Sequence, residues 1–201
     1  MSLRKKIFIT GVGGQGSITT TLIIGEAATA AGLKVISSEI HGMAQRGGIV
    51  ETTVLVGDVS SPIIADGEAD VILGFEPVET LRSVAKASKE RTLVLMNDRP
   101  LVPFTVSIGR ETYPSVEDVK DRLRSAAAKL YAIDALELAT RAGSAKALGA
   151  VMVGALAALE VIPIAREIWI AALLAKAPAR FRDVNVAAFD AGLRATQIQM
   201  R

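Results

Sequence analysis

A glycine-rich stretch near the start of the chain has the composition of a phosphate-binding turn. Residues 11–16 read GVGGQG and lie between the apolar run KIFIT and a helix-like run. In dinucleotide-binding folds, such glycines allow a tight turn and a close backbone approach to a pyrophosphate, which the amides of the following helix hold. The same backbone also suits a turn that only lets a strand and a helix pack closely. The candidate cofactor-binding residues are Gly11, Gly13, Gly14, Gln15 and Gly16.

A second glycine-rich stretch, EIHGMAQRGG at residues 39–48, carries four polar side chains that could bind a ligand. Arg46 can hold a carboxylate or phosphate with two hydrogen bonds, and His41 can exchange a proton near neutral pH. These two residues are the catalytic candidates, although the motif assigns no catalytic role to a single residue. The alternative is a plain surface loop. The predicted substrate- or partner-binding loop comprises Glu39, His41, Gly42, Gln45, Arg46, Gly47 and Gly48.

Two acidic residues follow a later apolar run, in the stretch GFEPVET. Glu76 and Glu79 could act as an acid–base pair. They also suit the first turn of a helix, where the helix dipole favours acidic side chains. We expect the helix start, because Pro77 is well placed as a first helical residue.

The elements that must position these stretches have the pattern of an α/β protein. Apolar and β-branched runs predict strands at 6–10, 34–40, 49–57, 71–75, 92–97, 104–109 and up to about 133. Periodic runs predict helices at 17–31, 77–88, 116–126, after Asp134, and at 145–160, 164–176 and 184–198. The apolar face of the first helix is predicted to be Ile18, Leu22, Ile23, Ala27 and Ala30.

These elements predict a three-layer α/β fold. Its sheet is mixed but mostly parallel, its N-terminal part is a Rossmann-like β-α-β unit, and its C-terminal part is helical from about residue 144. We find no linker and no repeat, so residues 1–201 are expected to form a single domain.

The composition excludes several classes of function. The 23 basic and 21 acidic residues leave a net charge of only +2 without a basic run, which argues against nucleic-acid binding. The absence of cysteine and the single histidine exclude iron–sulfur clusters, thiolate zinc sites and multi-histidine metal sites in this chain. The longest apolar run is interrupted by Glu160 and Pro163, which is typical of a core helix and not of a membrane span. No signal peptide is recognised at the start, so a cytoplasmic location is predicted.

Four stretches in this order resemble a known family: GVGGQG, EIHGMAQRGG, GEADVILGFEPVE and SAKALGAVMVGALAAL. The sequence resembles the beta subunits of indolepyruvate:ferredoxin oxidoreductases. These belong to the gamma-type subunits and domains of the 2-oxoacid:ferredoxin oxidoreductases. The resemblance extends from about residue 6 to about residue 193, and the ordered set of stretches is more specific than the glycine turn alone.

The resemblance implies an accessory subunit of an enzyme that decarboxylates a 2-oxoacid, with indolepyruvate or another arylpyruvate as the expected substrate. Thiamine diphosphate, Mg²⁺ and [4Fe-4S] clusters are then carried by a partner alpha subunit, which passes electrons to ferredoxin, and coenzyme A is the co-substrate. The lack of cysteine in this chain agrees with that division. The expected assembly is a heterodimer or an α2β2 complex, and the isolated chain is expected to be inactive and able to form a homodimer.

Two alternatives stay open on the sequence alone. One is a stand-alone oxidoreductase that binds NAD(P) or a flavin at the glycine turn. Glu39 supports it, because it lies 23 residues past Gly16 at the end of a predicted strand, about where a ribose-binding acid belongs. The other is a non-catalytic scaffold that only stabilises its partner.

Overall fold

The computed structural model describes residues 3–41, 47–102, 106 and 108–201, with the side chain of His41 excepted. The described residues contain six strands: β1 (Arg4–Val12), β2 (Val35–His41), β3 (Ile49–Gly57), β4 (Val71–Gly74), β5 (Leu93–Asn97) and β6 (Lys129–Ile133). They contain seven α-helices: α1 (Ser17–Ala30), α2 (Pro77–Arg82), α3 (Val116–Ala126), α4 (Ala135–Arg141), α5 (Leu148–Ala158), α6 (Arg166–Lys176) and α7 (Arg182–Met200).

The strands form one sheet in the order β2-β3-β1-β4-β5-β6. The pairs β1–β4, β4–β5 and β5–β6 are parallel, whereas β3 is antiparallel to both of its neighbours. Strand β3 therefore runs opposite to the other five. The predicted mixed, mostly parallel sheet is confirmed.

Helices cover both faces of the sheet, which confirms the predicted three layers. The larger core packs α1 and α4 to α7 against one face and includes Ile9, Ile24 and Phe189. The smaller core packs α2 and α3 against the other face and includes Phe8 and Leu123. Burial of these aliphatic faces is the main favourable term in folding.

Helices α5 and α7 pack backbone against backbone, through one glycine on each. A Cβ atom added to Gly154 would lie 2.0 Å from the carbonyl oxygen of Phe189. A Cβ atom added to Gly192 would lie 2.0 Å from the carbonyl oxygen of Val151. The helical C-terminal part is therefore fixed by a contact that larger residues would prevent.

Two local predictions differ from the structure. On α1, Leu22 is 53% exposed whereas Ile24 and Ala28 are fully buried, because the buried face of this helix is rotated from the predicted one. The strand predicted at 104–109 is wrong at the positions that are described: Val106 is helical, and 108 and 109 form a turn closed by the Gly109 amide on the Val106 carbonyl. Residues 104, 105 and 107 lie outside the described part of the chain.

Candidate functional site

The candidate site lies at the carboxyl edge of the parallel strands. Strand β1 connects through α1 toward β2 on one side of the sheet, whereas β4 connects through α2 to β5 on the other side. The chain therefore reverses its direction of winding between β1 and β4. In open α/β sheets, ligands bind in the crevice outside the strand ends at such a switch point.

The glycine turn leaves β1 at this point and leads into α1. Gly14 and Gly16 have φ angles of 104° and 92°, in the left-handed region that favours glycine. Gly16 is the N-cap of α1 and provides no side-chain cap, so the first amides of the helix have no side-chain oxygen as a capping partner. Such amides suit an anionic ligand.

Gly11 has a different role from the other glycines, because it lies inside β1. A Cβ atom there would come within 2.7 Å of the Cβ atom of Phe75, the first residue after β4. This glycine lets the ends of β1 and β4 approach each other, a contact between strands that differs from the strand–helix packing considered for the turn.

The structure brings the two glycine-rich stretches together. The Gly13 amide donates to the Gly48 carbonyl at 2.8 Å, and the Gly47 amide donates to the Gly13 carbonyl at 3.4 Å. The glycine turn and the end of the second loop therefore form one backbone unit. Gly42, Gln45 and Arg46 lie outside the described residues, as does the His41 side chain, so their predicted roles stay predictions.

Gln15 joins the ends of β1 and β4 across the switch point. Its Oε1 atom accepts from the Val12 amide at 2.8 Å, and its Nε2 atom donates to the Phe75 carbonyl at 3.0 Å. Asn97, at the end of β5, donates to the same Phe75 carbonyl at 2.9 Å. Three successive strand ends are thus tied together by two side-chain amides.

A pocket of about 630 Å³ opens beside this junction. The Gly13–Gly16 turn forms one wall, residues 97–101 form a second, and Leu136 with residues 145–148 forms the third. Its two cationic side chains are Arg99 and Lys146. A pocket of this size with two cations and a glycine turn fits a ligand that carries phosphate or carboxylate groups.

Arg99 is held in place by Asp134, with which it forms a hydrogen-bonded ion pair. This pair raises the pKa of the guanidinium, so Arg99 stays charged at any physiological pH. Asp134 also caps α4 by accepting from the Glu137 amide at 2.9 Å. The orientation of Arg99 is therefore set by the start of a neighbouring helix.

Glu76 is a buried carboxylate next to the pocket, with 2% of its surface exposed. Its Oε2 atom accepts from the Glu79 amide at 3.0 Å, which confirms the helix-start interpretation of the GFEPVET stretch. Its Oε1 atom accepts from the Tyr113 hydroxyl and from the Leu101 amide, the latter at 3.4 Å. Burial and the hydrogen bond to Glu76 raise the pKa of Tyr113, so the phenol stays a donor.

The geometry argues against the dinucleotide alternative. In dinucleotide-binding folds the strand that carries the ribose-binding acid lies next to β1. Here β3 lies between β1 and β2, so Glu39 on β2 is two strand spacings, about 10 Å, away from β1 in the sheet. The sheet therefore does not place Glu39 next to the glycine turn, as ribose binding in a dinucleotide fold requires.

Sequence reasoning missed Asn97, Arg99 and Lys146 as site residues. Asn97 and Arg99 follow a predicted strand, and the rule that sites collect at such strand ends would have drawn attention to them. Lys146 gives no comparable signal, because only tertiary packing brings its helix beside the glycine turn.

In the described residues, no three His, Asp or Glu side chains are placed to share a metal ion. No helix among those residues is long and apolar enough to cross a membrane.

Comparison with known proteins assigns the chain to a family. The family model described as pyruvate ferredoxin/flavodoxin oxidoreductase matches residues 6–195. The chain belongs to this family. Its relatives include the indolepyruvate oxidoreductase subunit IorB of Methanothermobacter thermautotrophicus. The two chains are 42% identical over 189 residues, which cover 94% of this chain and 96% of the relative. The subunit of the same name from Archaeoglobus fulgidus is 40% identical over 190 residues, which are 94% of each chain.

Solved structures of the same family share the fold. The gamma subunit of a keto/oxoacid ferredoxin oxidoreductase from Geobacter sulfurreducens superposes with a TM-score of 0.70 at 22% identity, covering 96% of this chain and 99% of that one. A 2-oxoglutarate:ferredoxin oxidoreductase from Magnetococcus marinus gives a TM-score of 0.72 at 20% identity, covering 97% of this chain and 31% of that one. That structure contains 2-oxoglutarate, coenzyme A and succinyl-CoA.

Proposed function

We propose that this chain is the accessory subunit of an indolepyruvate- or arylpyruvate-specific 2-oxoacid:ferredoxin oxidoreductase. The observation that carries the proposal is the match to IorB subunits over 94% of this chain and 96% of the relative. We also infer that residues 1–201 act as one gamma-type domain, and the family match over residues 6–195 supports this inference. The cytoplasmic location stays a prediction.

The redox chemistry belongs to a partner alpha subunit in this proposal. This chain has no cysteine, so ordinary [4Fe-4S] clusters must be bound elsewhere, together with thiamine diphosphate and Mg²⁺. The partner decarboxylates the 2-oxoacid and passes the electrons to ferredoxin. The two chains form a heterodimer or an α2β2 complex.

The carboxyl edge of the sheet is the surface that we assign to the partner. Among the residues that the structure describes, nine large hydrophobic side chains are exposed, and five of them belong to segments that adjoin this edge. Single exposed hydrophobic residues elsewhere need no explanation. The five are Ile40, Ile49, Leu101, Val102 and Ile108. Strand β2 ends and β3 begins at the same edge, and we assign the predicted loop of His41, Gln45 and Arg46, which joins these two strands in the sequence, to the partner surface as well.

The pocket beside the glycine turn is the proposed binding site for the phosphates of coenzyme A. Support comes from the two cations, the first amides of α1, which have no side-chain cap, and the glycine turn that permits a close approach. Coenzyme A carries several phosphate charges, which suit Arg99 and Lys146. The function of this chain in the complex is then to hold the co-substrate against the active site of the partner.

Reconstitution with the partner tests the proposed function. The two chains are co-expressed, and reduction of ferredoxin or a viologen dye is followed with indolepyruvate, phenylpyruvate, pyruvate and 2-oxoglutarate, with and without coenzyme A. We expect activity that needs both chains and coenzyme A and that is highest with the arylpyruvates. A complex that is equally active without this chain would exclude the proposal.

Lys146→Gln tests the pocket separately. We expect the KM for coenzyme A to rise about tenfold, since one charge-assisted contact of roughly 1.4 kcal/mol is lost. Lys34→Gln is the matched control, because Lys34 is an exposed lysine at the opposite edge of the sheet. Equal KM values for the two variants would place coenzyme A elsewhere, and a change in assembly without a change in kinetics would favour the scaffold alternative.

A further inference from the structure

Glu76 connects the switch point of the sheet to the wall of the pocket. It follows β4 directly, and both of its carboxylate oxygens have partners. Its Oε2 atom is occupied by the start of α2. Its Oε1 atom receives two donors that lie 12 residues apart in the chain, the Leu101 amide and the Tyr113 hydroxyl.

The two donors belong to opposite ends of the connection from β5 to α3. Leu101 is a wall residue of the pocket, two residues from Arg99. Tyr113 lies two residues before Ser115, the N-cap of α3. One buried carboxylate thus joins a wall residue of the pocket to the segment that leads into α3.

We propose that Glu76 is a positioning residue for the ligand pocket: the Tyr113 hydroxyl fixes its carboxylate, and the carboxylate in turn holds the amide of Leu101, a wall residue two positions from Arg99. This inference rests on the proposed function for the identity of the ligand, coenzyme A. The linkage itself, which is the pair of hydrogen bonds from Leu101 and Tyr113 to Glu76, is a property of this chain and does not depend on the identity of the ligand.

The linkage requires the negative charge and the burial of Glu76 together. A buried carboxylate must keep its hydrogen-bond donors, because an unsatisfied buried charge is strongly destabilising. Tyr113 therefore cannot leave Glu76 without cost, and neither can Leu101. A wall fixed in this way adds to the hold of Asp134 on Arg99, and rigid, pre-organised contacts improve affinity because less conformational freedom is lost on binding.

Tyr113→Phe removes one hydroxyl and leaves the cap of α2 intact. We expect the KM for coenzyme A of the assembled complex to rise about tenfold, while kcat changes by less than twofold. Glu76→Gln is expected to raise the KM at least as much. The double variant should raise the KM by less than the two single effects combined, because residues 76 and 113 share one contact and coupled residues are not additive.

Ser115→Ala is the matched control. Ser115 caps α3 by accepting from the Asp118 amide at 3.0 Å and has no contact with Glu76. It should lower the melting temperature by a few degrees, as the loss of a cap does, and leave the KM unchanged. If Tyr113→Phe and Ser115→Ala change the KM equally, Glu76 has only a structural role and the inference is wrong.

Amide exchange in the isolated chain separates this inference from the proposed function. In Tyr113→Phe, the Leu101 amide should exchange at least about tenfold faster than in the wild type, whereas amides of α1 stay unchanged. Unchanged exchange at Leu101 would overturn the linkage whatever the ligand is. Faster exchange in a protein whose complex does not use coenzyme A would overturn the proposed function and leave the linkage in place.

Discussion

Gln15→Glu is the substitution that tests the junction of the strand ends most directly. The variant keeps the shape of the side chain and the oxygen that accepts from the Val12 amide. It replaces the Nε2 donor, 3.0 Å from the Phe75 carbonyl, by a carboxylate oxygen that faces this carbonyl. A hydrogen bond becomes a repulsive contact between two acceptors.

The expected loss of stability follows from the partners that remain. The Phe75 carbonyl still accepts from Asn97, so it is not left without a donor. The lost hydrogen bond contributes about 1 kcal/mol, and one half-buried carboxylate oxygen without a donor costs about another 1 kcal/mol. A total near 2 kcal/mol lowers the melting temperature of a chain of this size by roughly 4–8 °C.

The repulsion should depend on pH. A carboxyl group in this position has a pKa above that of the unfolded chain, because burial and the facing carbonyl disfavour its charged form. The variant therefore regains stability as the pH falls through this raised pKa, where the protonated carboxyl can donate to Phe75 again, and the gain is complete below the unfolded pKa of about 4.3. Thermal unfolding followed by circular dichroism at pH 7.5 and pH 4 measures both effects.

Gln199→Glu is the control for this experiment. Gln199 also donates from Nε2 to a backbone carbonyl, that of Ala132 at 2.7 Å, but it lies on an exposed part of α7. Its replacement should change the melting temperature by about 1 °C or less. A Gln15→Glu variant as stable as the control, or a stability gap that stays the same at pH 4, would refute the reasoning about the junction.

Two further predictions concern the core and a buried acid. Gly154→Ala should lower the free energy of unfolding in urea by about 3 kcal/mol, because its Cβ would overlap the Phe189 carbonyl. Gly25→Ala, whose Cβ would only make an ordinary contact of 3.9 Å with Val35, should raise it by about 0.5–1 kcal/mol, and equal effects would contradict the close helix contact. Burial, together with the nearby charge of Glu76, raises the pKa of Glu79. The stabilising contribution of the protonated Glu79 side chain is therefore complete below the unfolded pKa near 4.3, and it is lost as the pH rises through the folded pKa. Glu79→Gln should therefore be more stable than the wild type at pH 8 in urea unfolding, and a gain that persists at pH 4 would count against this cause.

The sequence predicted most of the elements that build the site, because their signals are local. The strand at 49–57 and the helix at 116–126 have the predicted bounds, the second because Ser115 is a cap with the expected hydrogen bond. The buried face of α1 was not predictable in the same way. This helix is apolar or small on all sides, so its periodicity gives no single face, and packing against β3 and α6 decides which residues are buried.

The candidate site was predicted in part, and there is a physical reason why some of its features could be predicted from the sequence and others could not. The glycine turn was found because left-handed backbone and close approach require glycine at fixed positions. The contact between Gly13 and Gly48 could not be derived, since it depends on β3 entering the sheet beside β1. Lys146 is brought into the pocket by the packing of α5 on α1, which no short-range pattern encodes.

The placement of β3 also explains how a glycine turn of dinucleotide type can serve another ligand. With β3 beside β1, the residues opposite the turn are Gly47 and Gly48, and the acid on β2 is one strand further away. The crevice between β1 and β4 is closed by Gln15, so a ligand held by the α1 amides extends toward Arg99 and Lys146 and away from Glu39. A ligand with its charge concentrated in phosphates suits that direction better than one that needs a ribose-binding acid. The motif therefore specifies a backbone geometry, and the strand beside β1 determines which ligand that geometry suits.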